Sequence, residues 1–144
     1  MSTSPDPARR TRMGLLATAP PERLAALLPE LPAHEILRAP ETGTMMVQGR
    51  VGGTGAPFNL GEVTVTRASV RLAGGAVGHA MVQGRDQAHA TRAALVDALA
   101  QTGDGAEAIL APLRTEAEAR AQARAARAAA TRVEFFTLLR GEDP

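Results

Sequence analysis

The sequence predicts an α+β domain, a four-stranded antiparallel meander sheet flanked by N-terminal helices and long C-terminal helices. Three observations carry that expectation. Leucines recur at helical spacing after a proline pair near the start, and Met13, Leu15 and Leu16 give an apolar end to the segment before it. Residues 34–85 alternate apolar and polar side chains between glycine and proline turns. The chain then ends in a long alanine-rich run. Strands joined by short connections pair antiparallel, which makes the class α+β, not a doubly wound sheet. At 144 residues the chain fits one domain, 1–144, divided as 5–31 helical, 34–85 sheet and 86–140 helical with a projecting C-terminal arm.

Pro5 to Ala17 reads as a first helix, ended by Pro20-Pro21. Proline is allowed at a first helical position, so a second helix begins there, carried by Leu24, Leu27, Leu28 and Leu31 and stopped by Pro32. His34–Ala39 is a short strand closed by a turn at Glu41-Thr42-Gly43, and Thr44–Val51 is the next. A third runs from about Glu62 to Leu72. Val63 and Val65 are in one phase and Val70 and Leu72 in the other, which predicts a bulge near Thr66–Ala68. Gly74-Gly75 is a hairpin turn and Ala76–Gln83 the fourth strand. Asp86 is placed to cap a helix to about Gln101, with Leu95, Val96 and Leu99 as its apolar stripe. After Gly103-Asp104-Gly105 come a helical piece at Glu107–Leu113 and a further helix opened by the box-like Thr115 and Glu118.

That last helix has almost no large apolar side chain until Val133, Phe135, Phe136, Leu138 and Leu139 arrive together. From Thr115 to this tip a helix would span about 36 Å at 1.5 Å per residue. Alanine supplies helix propensity but little area to bury. The tip is therefore expected to dock on another chain, the alternative being that it folds back under its own sheet.

All sixteen basic residues are arginine, set against fifteen acidic ones. There is no cysteine, so disulfides, iron–sulfur ligation and thiol nucleophiles are excluded within this chain. No apolar run reaches the roughly 20 residues of a membrane span. The polar, proline-containing start does not read as a secretory signal. No membrane association and a cytoplasmic location are the expectation. The chain has no tryptophan or tyrosine and only three phenylalanines, so bases would find few stacking platforms and nucleic-acid binding is not expected.

Gly49-Arg50-Val51-Gly52-Gly53-Thr54-Gly55 looks like a phosphate loop, but the P-loop needs a lysine and the dinucleotide fingerprint needs a following helix. A hairpin connection is the plainer reading, with closure over a ligand the alternative. Gly84-Arg85-Asp86-Gln87-Ala88-His89 stands where a strand becomes a helix. Free amides there favour an anion, with Arg85 as a charged fork and His89 as a neutral base or ligand. Against this, Asp86 as a cap takes the same amides. Arg38, Arg50, Arg67, Arg71 and Arg85 all belong to the strand block and are candidates for one anion-binding patch, or for solvated and internally paired residues. His34, His79 and His89 have no metal-ligand spacing, and no nucleophile signature is present. No metal site or catalytic residue is expected in the isolated chain.

Several ordered blocks resemble one family. They are Arg38-Ala39-Pro40-Glu41-Thr42-Gly43, Val51-Gly52-Gly53-Thr54-Gly55, Leu60 to Ala68, Gly84-Arg85-Asp86-Gln87-Ala88-His89-Ala90 and Arg132-Val133-Glu134-Phe135-Phe136-Thr137, closing at Arg140-Gly141. Together they are similar to the PhnG family, the G subunits of the bacterial carbon–phosphorus lyase core complex. His79 stands where that family leads one to expect an aromatic residue. The resemblance implies a two-fold assembly with H, I and J subunits. With an ATPase-like partner, that assembly displaces adenine from ATP by an alkylphosphonate to give a ribose 1-phosphonate 5-triphosphate. It further implies that the nucleosidase-type activity belongs to the I subunit, and that a later radical step on J uses an iron–sulfur cluster and S-adenosylmethionine. This chain would then be an accessory subunit held chiefly by I, without a cofactor or catalytic residue of its own. Two other readings stay open. Arg85 and His89 line a shared active site, or the chain is a stand-alone binder of a small anion, using Arg50, Arg67, Arg85 and His89.

Overall fold

The proline pair divides the first helical stretch into α1 (Pro7–Thr18) and α2 (Pro21–Leu27), with Pro21 at the first position of α2. The computed structural model describes the backbone of residues 7–103 and 105–141, and the side chains of 7–103 and 105–131. After α2 come β1 (His34–Arg50), a 3₁₀ turn at Val51–Gly53, β2 (Pro57–Leu72), β3 (Val77–Gln83), α3 (Gln87–Thr102) and α4 (Ala106–Gly141). The class is α+β, as expected.

The sheet has three strands in the order β1-β2-β3, all antiparallel, not four. The two short strands expected at His34–Ala39 and Thr44–Val51 are one strand of 17 residues. Pro40 and the Glu41-Thr42-Gly43 sequence signal a turn, but β1 is the edge strand, where proline costs no ladder bond on its solvent side. The irregularity is absorbed by register shifts between Ile36 and Arg38 and between Arg38 and Glu41. The bulge expected in β2 near Thr66–Ala68 therefore lies across the ladder, in β1. Opposite β3 the β2 register is unbroken from Val65 to Arg71. A further shift falls near Leu60, between the pairs Val47–Gly61 and Gln48–Asn59.

The core lies between the sheet and the helices. Ala68, Val70, Leu72 and Val82 meet Leu16, Leu24, Leu95, Val96, Leu110 and Leu113. Arg67, Arg71, His79 and Met81 alternate with these core positions and are exposed. Asp86 caps α3 as anticipated, its carboxylate accepting from the His89 amide at 2.9 Å. α3 lies so close to β3 that a Cβ on Gly78 would collide with the Ala94 carbonyl oxygen and sit 2.8 Å from the Ala98 nitrogen. The two C-terminal helical pieces expected on either side of Arg114 are one helix, which passes through Pro112. Burial of Ile109, Leu110 and Leu113 offsets the backbone bond that Pro112 cannot make.

Asp97 sits in the middle of α3, fully buried. It takes Arg9 Nη2 at 2.9 Å, Arg9 Nε at 3.3 Å, Arg12 Nη2 at 3.0 Å and the His79 backbone N–H at 3.0 Å. Gln101 Nε2 donates to the Val77 carbonyl at 2.7 Å. The free edge of β3 is thus closed by side chains of α1 and α3, where a fourth strand would otherwise pair.

Two segments leave this body. No residue of β1 is buried, and in β2 nothing is buried before Val65. The β1–β2 hairpin therefore extends past the end of β3, with Met46, Val51, Phe58 and Leu60 exposed. The second is α4, whose 36 residues span about 54 Å at 1.5 Å per residue. Every residue from Ala121 to Thr131 is exposed, so the helix has left the body by then.

Two stability predictions follow from this packing. Gly78→Ala forces α3 off the sheet and should lower unfolding free energy by about 2–3 kcal/mol, the usual range for overpacking. Urea unfolding reads it, and an unchanged midpoint would refute the close approach. Asp97→Ala leaves two guanidiniums facing a void and should cost about 3–5 kcal/mol. Arg9→Ala, on a more exposed partner, should cost clearly less.

Candidate functional site

The strand-to-helix junction is organised by local bonds. Gly84, at φ 99°, donates its N–H to the Thr64 carbonyl at 2.8 Å, and its own carbonyl accepts from the buried Thr66 hydroxyl at 2.7 Å. Only glycine takes that φ without strain. The Asp86 carboxylate occupies the His89 amide, one of the donors an anion would have used. The His89 ring is buried, and its Nε2–H donates to the Leu16 carbonyl at 2.9 Å, tying the start of α3 to the end of α1. The same ring borders a mainly apolar wedge of about 650 Å³ between the α1–α2 connection and the sheet, lined also by Val63, Val65 and Met81. Arg85 is exposed and has no side-chain partner among the described residues.

The glycine cluster forms the far end of the β1–β2 hairpin. Gly52 and Gly53 have φ of 63° and 83°, and Gly55 donates to the Val51 carbonyl at 2.7 Å. Arg50 Nη1 donates to the Gly55 carbonyl at 3.2 Å, folding the arginine onto its own turn. Arg50 lies nine residues along β1 from Glu41, the register partner of Arg67. At about 3.3 Å per residue that is some 30 Å.

Of the five strand-block arginines, the structure brings Arg38 and Arg67 together. Both line a depression of about 320 Å³ with Thr42 and Thr44, and both line an adjoining one of about 300 Å³ with Ser69 and His79. Arg71 is paired with Glu35 at 3.2 Å. Ser69 Oγ and His79 Nδ1 are hydrogen-bonded at 2.8 Å. Sequence reasoning grouped these arginines by their shared strand block. It missed the Ser69–His79 pair, which only the register of β2 with β3 reveals.

Sequence reasoning also missed Asp97, although an acidic residue inside the α3 apolar stripe was a signal to look for buried cations. A fourth concavity of about 560 Å³ lies where α1 meets the end of α3 and the start of α4, bordered by Arg12, Glu107 and Arg114. There the hydrogen bond from Arg114 to Glu107, at 2.7 Å, raises the arginine pKa above its ordinary value. Among the described residues no three of His, Cys, Asp and Glu converge as metal ligands. No described helix is long and apolar enough to cross a membrane. Val133, Phe135, Phe136, Leu138 and Leu139 fall on the last turns of α4, and their side chains lie outside the described residues.

Residues 7–141 match the family of phosphonate metabolism protein PhnG. A relative from Rhizobium meliloti (strain 1021), the alpha-D-ribose 1-methylphosphonate 5-triphosphate synthase subunit PhnG, is 45% identical over 141 residues, 94% of this chain and 90% of the relative. With the family blocks threaded in order from the β1 irregularity to the end of α4, this chain belongs to the PhnG family of phosphonate metabolism proteins.

Proposed function

We propose that this chain is an accessory subunit of a ribose 1-methylphosphonate 5-triphosphate synthase assembly, and that the chemistry is done by its partners. The observation that carries this reading is the near full-length likeness to a protein named as a subunit of that synthase. The shape of the chain supports it. An exposed hairpin and an exposed helix lead away from a body whose core is already complete without them.

In this reading the two extensions are the docking parts. The hairpin offers Met46, Phe58 and Leu60. The tip of α4 offers Val133, Phe135, Phe136, Leu138 and Leu139. The H, I and J subunits are the partners, I chiefly. The assembly uses ATP, and its iron–sulfur cluster and S-adenosylmethionine belong to another subunit. A cysteine-free chain has no thiolates to offer such a cluster.

Deleting residues 133–144 should abolish co-purification with the other subunits while leaving the unfolding free energy of the remaining chain, read by urea, within about 1 kcal/mol of normal, since surface changes rarely cost more. Stoichiometric co-elution of the truncated chain would remove the tip from the docking role. Phe58→Ser with Leu60→Ser should weaken assembly at the hairpin without lowering stability. A host lacking the gene should stop growing on methylphosphonate as sole phosphorus source, and growth at the normal rate would reject the assembly role itself.

A further inference from the structure

We propose that Arg38 and Arg67 form an oxyanion site on the exposed face of the sheet, suited to the tetrahedral –PO₃ group of a phosphate or phosphonate. The site is the cavity of about 300 Å³ lined by the polar side chains of Arg38, Arg67, Ser69 and His79 and by the apolar Met13 and Met81. It is separate from the hairpin and helix extensions assigned to docking.

Four features of the chain lead there. Neither guanidinium has a hydrogen bond or ion pair among the described residues. The neighbouring strand arginines are engaged, Arg71 with Glu35 and Arg50 with the Gly55 carbonyl. Arg38 also stands between the two consecutive register shifts of β1. Bulges re-aim side chains at the expense of ladder pairing, and the residue at this one is a cation that lines the same cavity as a second cation. Two unpaired guanidiniums lining one concavity repel each other unless an anion lies between them.

The remaining lining fits the same ligand. Among the described residues no carboxylate borders this cavity. Glu41, the register partner of Arg67, lines the adjoining depression and makes no ion pair with it. The Ser69–His79 bond leaves one donor available whichever way the proton lies. If the serine hydroxyl donates to Nδ1, then Nε2–H is free; if Nδ1–H donates, the hydroxyl proton is free. Planar guanidinium forks match phosphate oxygens in pairs, and the hydroxyl or imidazole adds a third contact. Met13 and Met81 give an apolar wall against which the rest of a ligand can lie. The –PO₃ group could belong to a small phosphonate or to a nucleotide, and the chemistry of the site is common to both.

The test is calorimetric titration of the full-length chain, alone or in the assembly with which it co-purifies. Inorganic phosphate, methylphosphonate and ATP are added in turn at constant ionic strength. Saturable binding of at least one is expected, and the tightest of the three names the source of the group. Arg38→Gln and Arg67→Gln should each weaken it by about tenfold, the scale of one charge-assisted pair. Arg71→Gln removes the same charge from the same strand and should change it less than about twofold. Three results would overturn the site: no saturable binding of any probe, equal weakening by Arg71→Gln, or glutamate competing as well as phosphate, which would mark the arginines as seats for a protein partner's carboxylates. The inference does not rest on the assembly reading. Binding by the isolated chain survives a failed co-purification, and a normal co-purification does not rescue absent binding.

Discussion

Asp97 carries a carboxylate into the layer between α3 and the sheet, where an unpaired charge would cost several kcal/mol. Its partners come from two elements: Arg9 and Arg12 from α1, and the backbone of His79 from β3. A buried ion cluster of this kind contributes little net stability over a well-packed apolar one. What it contributes here is placement. It seats α1 along the outer edge of β3 and registers α3 over Gly78, where no side chain would fit. The His89 ring does the same at the other end of α1, by donating to the Leu16 carbonyl. With the β3 edge occupied by helix side chains, the sheet grows in one direction only, through β2 to β1.

That asymmetry explains how the rest of the chain is used. The buried face is short, because β3 matches only Val65–Arg71 of β2. Everything in β1 and β2 beyond that overlap is a two-stranded ribbon, and an isolated ribbon is marginally stable in water. Its own devices are modest. Gly49 makes room for the side chains of Phe58 and Leu60, which would approach a Cβ there to 3.2 Å, and Gln48 reaches Asn59 at 3.5 Å. The outer edge of β1 is protected from indiscriminate pairing by Pro40 and by its register shifts. A ribbon that is blunted along its edge yet apolar at Met46, Phe58 and Leu60 is suited to side-chain contact with a partner more than to strand addition.

Much of this organisation was legible from residues alone, and the failures have physical causes. The break at Pro20-Pro21, the Asp86 cap and the β2–β3 hairpin are local chemistry, and local chemistry reads directly from sequence. The strand count failed because Pro40-Glu41-Thr42-Gly43 is the same sequence whether it makes a turn or a bulged edge strand. The position of the strand in the sheet decides between them, and that is a tertiary fact. The join of two helical pieces across Pro112 failed likewise, since burial of Leu110 and Leu113 outweighs one lost backbone bond. Arg38 and Arg67 could be grouped in advance but not singled out. Their shared cavities depend on a register that slips twice within six residues, from Ile36 to Glu41. The role of Asp97 lay one step further off, because a lone acid in an apolar stripe says that a cation is needed without saying which one.

The two extensions place different demands on a partner. Residues 121–131 of α4 are nearly all alanine and arginine, and this composition holds a helix without tertiary cover. The rod is therefore already ordered when it meets another chain, and docking it need not include the cost of fixing its backbone, about 1–2 kcal/mol per residue for a segment that starts unfolded. Arg120, Arg124 and Arg127 lie at positions i, i+4 and i+7, so the rod also presents one cationic face, with alanines around the rest. The hairpin lacks that advantage and would gain order from a partner that covered its apolar residues. A subunit built with one preordered extension and one that settles on contact can engage first through the helix at low entropic cost. In the accessory-subunit reading proposed above, the ribbon would then fix the final geometry, once the helix has raised its effective concentration at the second surface.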